Sequence, residues 1–192
     1  MSATDVSTQR PTREAAIALA RERFLAGRRL EAGQIADELG ISRTTLYRWF
    51  DGRGGLYMET LWSLALDVLR IAEERSTATG LELVYETNRD FWEIVSENPG
   101  YRRFVEQDRR IALRIMFLVR GHIRGRFARY VEEMLERAKD ELRPGVEIPV
   151  LARALTACGE SSVFGDDLGS DGPQPGTTAK VLRLVIDGAR KR

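Results

Sequence analysis

The sequence predicts an all-α protein: an N-terminal group of three helices that contains a helix-turn-helix, followed by a larger C-terminal helical bundle. Three observations lead there. Apolar residues recur three and four apart almost throughout, with little alternation of period two. Glycine and proline fall between the periodic stretches, where helices stop and start. Between positions 34 and 50 two short helical patterns meet across a single glycine.

Each element follows in order. Ile17, Leu19, Ala20 and Phe24 share a face of a first helix starting near Arg13 and closed by Gly27. Positions 32–39 make a short second helix ended by Gly40, and Ser42 can cap a third that runs to about Phe50. Positions 56–74 are apolar on most sides, as expected of a helix packed between layers. The next helix, 81–97, ends at Asn98-Pro99-Gly100, where Pro99 blocks continuation and suits the first turn of the following one. Positions 101–142 contain no proline and are too long for a single helix, so Gly121 or Gly125 is expected to break them. Pro149 opens a helix to about Phe164. A loop rich in glycine, proline and aspartate follows over 165–176, and Thr177 or Thr178 caps a last helix through Val181, Leu182, Val185 and Ile186.

Composition narrows the function classes. The chain has 192 residues, 43% of them hydrophobic and 31% charged, which is a globular balance with enough length to bury a core without staples. Its one cysteine, Cys158, and one histidine, His122, provide neither a disulfide framework nor a metal cluster, so no metal or cofactor is expected. The polar start and the lack of any long apolar run lead us to expect a cytoplasmic protein with no membrane partner. The net charge of +1 conceals local blocks: positions 102–129 hold nine arginines against Glu106 and Asp108, whereas 59–97 hold nine acids against three arginines. Ion pairing between such blocks is the ordinary use of that charge, with an arginine turned toward an acidic or carbonyl-bearing ligand as the exception.

The chemistry concentrates in the helical hairpin. Ala36 is small where the two helices cross, Gly40 suits a left-handed turn, and Ile35, Leu39, Ile41, Leu46 and Phe50 point inward. A helical wheel places Trp49 with Leu46 and Phe50, and leaves Thr44, Tyr47 and Arg48 opposite, flanked by Arg43 and Thr45. Arginines can donate in pairs to guanine edges or to phosphate, threonines can meet a thymine methyl, and a tyrosine hydroxyl can reach the backbone. Arg53, just beyond, suits a phosphate clamp.

Through Ile35-Ala36, the run Leu39-Gly40-Ile41-Ser42-Arg43-Thr44-Thr45-Leu46-Tyr47-Arg48-Trp49-Phe50 and Leu56, the sequence resembles the TetR family of bacterial transcriptional regulators. The resemblance implies DNA contact by Ser42, Arg43, Thr44, Thr45, Tyr47, Arg48 and Trp49, with Arg53 standing where the family usually has a phosphate-binding lysine. It also implies a DNA-binding domain over 1–55 and an effector-binding and dimerisation domain over 56–192. The expected partners are a double-stranded DNA operator, a small-molecule effector and a second copy of the chain. The sequence departs from the family pattern in a shorter connection between Phe24 and Ile35, and in Gly54-Gly55, which replaces an acidic or polar pair and should weaken the start of the fourth helix. The bundle resembles the subgroup linked to lactone-degradation genes, which implies an acyl or lactone signal.

Within the bundle, Tyr85, Phe91, Trp92, Phe104, Met116, Phe117, His122 and Phe127 are the candidate pocket residues, being aromatic or adaptable groups on the middle helices. Small residues around Ala154, Cys158, Ser161 and Ser162, with the stripe of Leu182, Val185 and Ile186, are the candidates for a two-fold interface. Two rival readings compete with a ligand-responsive repressor. An enzyme is disfavoured because a di-iron site needs two Glu-x-x-His motifs, and because no strained nucleophile, phosphate loop or dinucleotide fingerprint stands in the sequence. The other rival is a helical module that binds a small molecule or a protein without touching DNA.

Overall fold

Thr12 starts the first helix by accepting the amide of Ala15, and from there the chain is helical in almost every element. The computed structural model describes residues 11–118, 123–164 and 176–191, without the side chains of 117, 118 and 162–164. Its helices are α1 (Arg13–Leu25), α2 (Ala32–Glu38), α3 (Arg43–Phe50), α4 (Arg53–Arg75), α5 (Gly80–Glu97), α6 (Pro99–Gln107), α7 (Arg109–Leu113), α8 (Ile123–Arg137), α9 (Ile148–Phe164) and α10 (Thr177–Ala189). A π-helical turn, Arg114–Leu118, continues α7, and a 3-10 turn, Lys139–Glu141, follows α8. The all-α expectation is met. The one extended pairing among the described residues is an isolated antiparallel bridge between Leu142 and Arg190. No described helix is long and apolar enough to cross a membrane.

The expected boundaries hold closely at α1, α2, α3, α5 and α9. Gly27 and Gly40 both take positive φ, +68° and +65°, closing α1 and α2 as left-handed glycines do. Three expectations need correction. Helix α4 begins at Arg53, before Gly54-Gly55 rather than after it. A Cβ at Gly55 would stand 1.5 Å from the carbonyl oxygen of Phe50, so glycine there allows α4 to start hard against the end of α3. The break after α6 comes at Asp108, whose backbone leaves the helix at φ −119° and ψ 35°. Gly125 lies inside α8 and does not break it, whereas Gly121, the other expected break, falls outside the described residues. The N-cap of α10 is Gly176 at φ +80°, with no side-chain cap from Thr177 or Thr178.

Two apolar cores run along the molecule. The first gathers Ala16, Ala20, Leu30, Ile35, Leu46 and Phe50 of the helical hairpin region and continues through Leu56, Tyr57 and Leu61 of α4 into Phe104, Ala112, Ile115, Met116 and Ile123. The second packs Leu69 of α4 against α5, α8, α9 and α10 through Leu81, Phe91, Trp92, Phe127, Val131, Leu155, Leu182 and Ile186. Helix α4 supplies residues to both cores, as its all-round apolar sequence requires.

Charge knits the same elements together. Glu59 of α4 receives Arg126 of α8 at 2.7 Å and Arg13 of α1 at 3.4 Å. Arg21 of α1 pairs with Asp67 of α4. Arg183 of α10 pairs with Glu82 of α5 at 2.5 Å and lies 3.5 Å over the Tyr85 ring. The acidic and basic blocks of the sequence therefore meet across helices, the ordinary use of such charge.

Candidate nucleic-acid interface and ligand cavity

Helix α3 is held by both its ends. Ser42 Oγ accepts the Thr45 amide at 3.0 Å and lies 2.9 Å from Thr45 Oγ1. At the other end the Asp51 backbone turns left-handed at φ 52°, and Arg13 donates from Nε to the Trp49 carbonyl at 3.2 Å while its guanidinium covers the Phe50 ring. Leu46 and Phe50 are buried beneath. Ser42, Arg43, Thr44 and Arg48 are exposed, Thr45, Tyr47 and Trp49 half-buried, and Tyr47 and Trp49 pack against the first core. The Arg43 guanidinium lies 5.9 Å from the centroid of the Tyr47 ring, within reach of cation-π attraction. The outer face of α3 is thus a short rigid surface of two arginines and hydroxyl groups.

Arg53 does not stand free beside that surface. Its Nη2 reaches Asp108 Oδ1 at 3.3 Å, its guanidinium covers the Tyr57 ring, and its Nε is buried without a partner. Asp108 also accepts from Arg29 Nη2 at 2.7 Å and from Tyr57 Oη at 2.8 Å, and Tyr57 Oη accepts the Leu30 amide at 3.2 Å. Burial pushes the Asp108 carboxyl up, but the bonds from Arg29 and Tyr57 and the charge of Arg53 outweigh it and hold the group below its usual value. One carboxylate at the end of α6 therefore binds the connection before α2 and the first turns of α4. The sequence signal for it was a lone aspartate amid arginines.

A cavity of about 270 Å³ lies between α1, α4, α5, α6, α8 and α9. Leu61, Leu64, Ala65, Val68, Phe91, Trp92, Val95, Met116, Ile123 and Phe127 make most of its wall, and Arg21, Phe24 and Leu25 of α1 close one side. Of the expected pocket residues, Phe91, Trp92, Met116 and Phe127 line it. Tyr85 does not: it lies under Arg183 in the contact between α5 and α10. Phe104 does not either, being stacked on Tyr57 with centroids 4.9 Å apart in the first core. The Phe117 side chain and His122 lie outside the described residues.

The cavity's polar groups were not anticipated. Glu160 of α9 is 6% exposed, and its Oε2 meets Arg124 Nε at 3.2 Å while Oε1 has no hydrogen-bond partner. Burial raises its carboxyl to about 7, with Arg124 pulling the other way. Tyr101 of α6 also lines the cavity, its phenol pushed up by burial and by the Glu160 charge. Glu160 was visible as the lone acid in α9, a helix otherwise almost wholly apolar or small. Its neighbour Gly159 allows the close contact with α5, since a Cβ there would stand 1.9 Å from Trp92 Nε1.

The expected two-fold interface needs correction at two positions. Leu182 and Ile186 are fully buried in the second core of their own subunit, because α10 turns that stripe toward α5 and α9. Ala154, Cys158 and Val185 are half-buried and Ser161 is exposed, while the Ser162 side chain lies outside the described residues. Among the described residues, the large outward apolar groups on these helices are Val150 and Leu184, the latter 71% exposed.

Residues 79–187, more than half the chain, match the family model described as tetracyclin repressor-like, C-terminal domain. The chain belongs to the TetR family. Among solved structures, the TetR-family transcriptional repressor QsdR of R. erythropolis superposes with a TM-score of 0.80 at 22% identity, covering 94% of this chain and 96% of that one. NalD, the secondary repressor of the MexAB-OprM multidrug efflux pump in Pseudomonas aeruginosa, gives 0.50 at 21% identity, covering 93% and 97%. No curated protein matches by sequence. These neighbours share the TetR-family fold, with its amino-terminal helix-turn-helix and helical carboxyl-terminal domain, and the chain is a transcriptional regulator of that type.

Proposed function

We propose that this TetR-family chain is a homodimeric repressor that binds a palindromic operator and is released by a small molecule held in the cavity. The observation that carries the reading is the exposed face of α3, where Arg43, Thr44 and Arg48 stand on a helix capped by Ser42 and backed by Leu46 and Phe50. A short helix held this way is what insertion in a major groove requires, and two of them about 34 Å apart would read successive grooves. Residues 1–55 act as the reading domain and 56–192 as the effector and dimerisation domain. Dimerisation uses α9 and α10, whose outward Val150 and Leu184 support it. The repressor role follows QsdR and NalD, both named as repressors.

Release works as a population shift. Because α1 contributes Arg21, Phe24 and Leu25 to the cavity wall, a ligand that fills the cavity bears directly on the reading domain and on its ion pair to Asp67. The apolar lining supports an effector with an acyl or similar apolar body, in keeping with the acyl signal that the subgroup resemblance implies. Function of this kind places the protein in the cytoplasm with the chromosome.

The test is a salt titration of the full chain on the DNA upstream of its own gene against scrambled DNA of equal length. Specific binding with a steep salt slope is expected. Equal, weak binding to both DNAs would overturn the reading and favour a helical module that binds only a small molecule.

A further inference from the structure

The polar end of the cavity is built from three helices and is incompletely satisfied. Glu160 on α9 is almost entirely buried, spends Oε2 on Arg124 of α8, and leaves Oε1 with no partner. Tyr101 on α6 lines the same cavity, and among the described residues its hydroxyl makes no hydrogen bond. Buried polar atoms are paired as a rule, and an unpaired one is costly, so Glu160 Oε1 marks a place where a guest can supply the missing partner.

Charge sorts the guests. Two ionic groups of opposite sign line the α1 side, Arg21 with Asp67, and two line the far side, Arg124 with Glu160. Each pair is neutral overall when its acid is ionised, and Arg124 keeps 39% of its side chain exposed to water, which screens its charge when Glu160 is protonated. A guest with a net charge would have to compete with one of these pairs in a largely apolar chamber.

We propose that this cavity selects uncharged molecules with an apolar body and an amphiprotic head, an alcohol or a primary amide, that donates to Glu160 and accepts from Tyr101. The proposal rests on the cavity being the effector site and names the chemistry of that effector. A head that both donates and accepts also suits Glu160 in either protonation state, since burial raises the carboxyl to about 7. The volume of about 270 Å³ corresponds to roughly nine waters, which fits a chain of modest length.

Four probes with the same eight-carbon body decide it: 1-octanol, octanamide, octanoate and octylammonium, each titrated into the full chain without DNA and read by calorimetry and by the shift in Tm. The alcohol and the amide are expected to bind at least about tenfold tighter than either ion. Tyr101→Phe should weaken the uncharged probes by about fivefold and leave the Tm of the free protein unchanged, because the hydroxyl supports no contact in the fold. Equal or tighter binding of either ion, or no binding of the uncharged probes at about 1 mM, overturns the proposal. Release of upstream DNA is scored separately with the same probes. Selective binding without release overturns the effector reading and leaves the selectivity standing, whereas release by an ion and by no uncharged probe overturns the selectivity and leaves the effector reading.

Discussion

Asp108 and Arg29 are 79 residues apart in sequence and joined at 2.7 Å, carboxylate to guanidinium. The Tyr57 hydroxyl donates to the same carboxylate, and Arg53 approaches it at 3.3 Å. Asp108 sits where α6 ends, so a movement of α6 is felt at once by the connection before α2 and by the start of α4. On the proposed reading, that is a direct line between the effector domain and the reading helices.

Asp108→Asn removes the charge and keeps an acceptor for Tyr57. A loss of about 1–3 kcal/mol in urea unfolding is expected, since Arg29 and Arg53 lose their shared partner. Because the folded carboxyl titrates below its ordinary 3.8, its contribution is complete above that value and disappears as pH falls through the lower folded value. The variant should therefore lose less stability on acidification than the parent.

Gly54 and Gly55 are adjacent and should respond with opposite signs. Nothing lies within 4 Å of a Cβ at Gly54, so Gly54→Ala should stabilise by about 0.5–1 kcal/mol through the helix preference of alanine. Gly55→Ala drives a methyl into the Phe50 carbonyl and should cost about 1–3 kcal/mol. Thermal unfolding of the two variants side by side measures both; equal effects would refute the packing of α4 on α3.

On DNA the arginines should separate. Arg43→Ala with Arg48→Ala removes the exposed cations of α3, and fluorescence anisotropy should show specific affinity lost and the salt slope reduced by about 2 where both meet phosphate. Arg53→Ala should change the slope far less, because Arg53 is already engaged with Asp108.

Glu160 makes a pH signature. Its carboxyl binds a proton more tightly folded, at about 7, than its ordinary 4.5, so the native state holds the extra proton between those values and stability falls as pH rises through them. Glu160→Gln should flatten that decline, read as the difference in urea midpoint between about pH 5 and about pH 8. A parent and variant with parallel pH curves would show that burial does not perturb this group.

The sequence by itself determined the all-α class, most helix ends and the inward and outward faces of α3, because these depend on local signals: a capping serine, a left-handed glycine, a spacing of three and four. Gly27, Gly40, Ser42 and Pro99 each act within a few residues of themselves, and the structure places them as read. Tertiary structure decided what local signals cannot carry. Leu182 and Ile186 form an apolar stripe whether it faces the subunit's own core or a second copy, and only the packing of α10 on α5 and α9 chose the core. Tyr85 and Phe104 are aromatic in any setting, and distant partners, Arg183 and Tyr57, drew them away from the cavity. Arg53 and Asp108 form an ion pair across 55 residues, and Glu160 and Tyr101 meet at one cavity from helices joined by no local pattern. Such pairings arise because the free energy of burying and satisfying a polar group depends on which distant group the fold brings beside it.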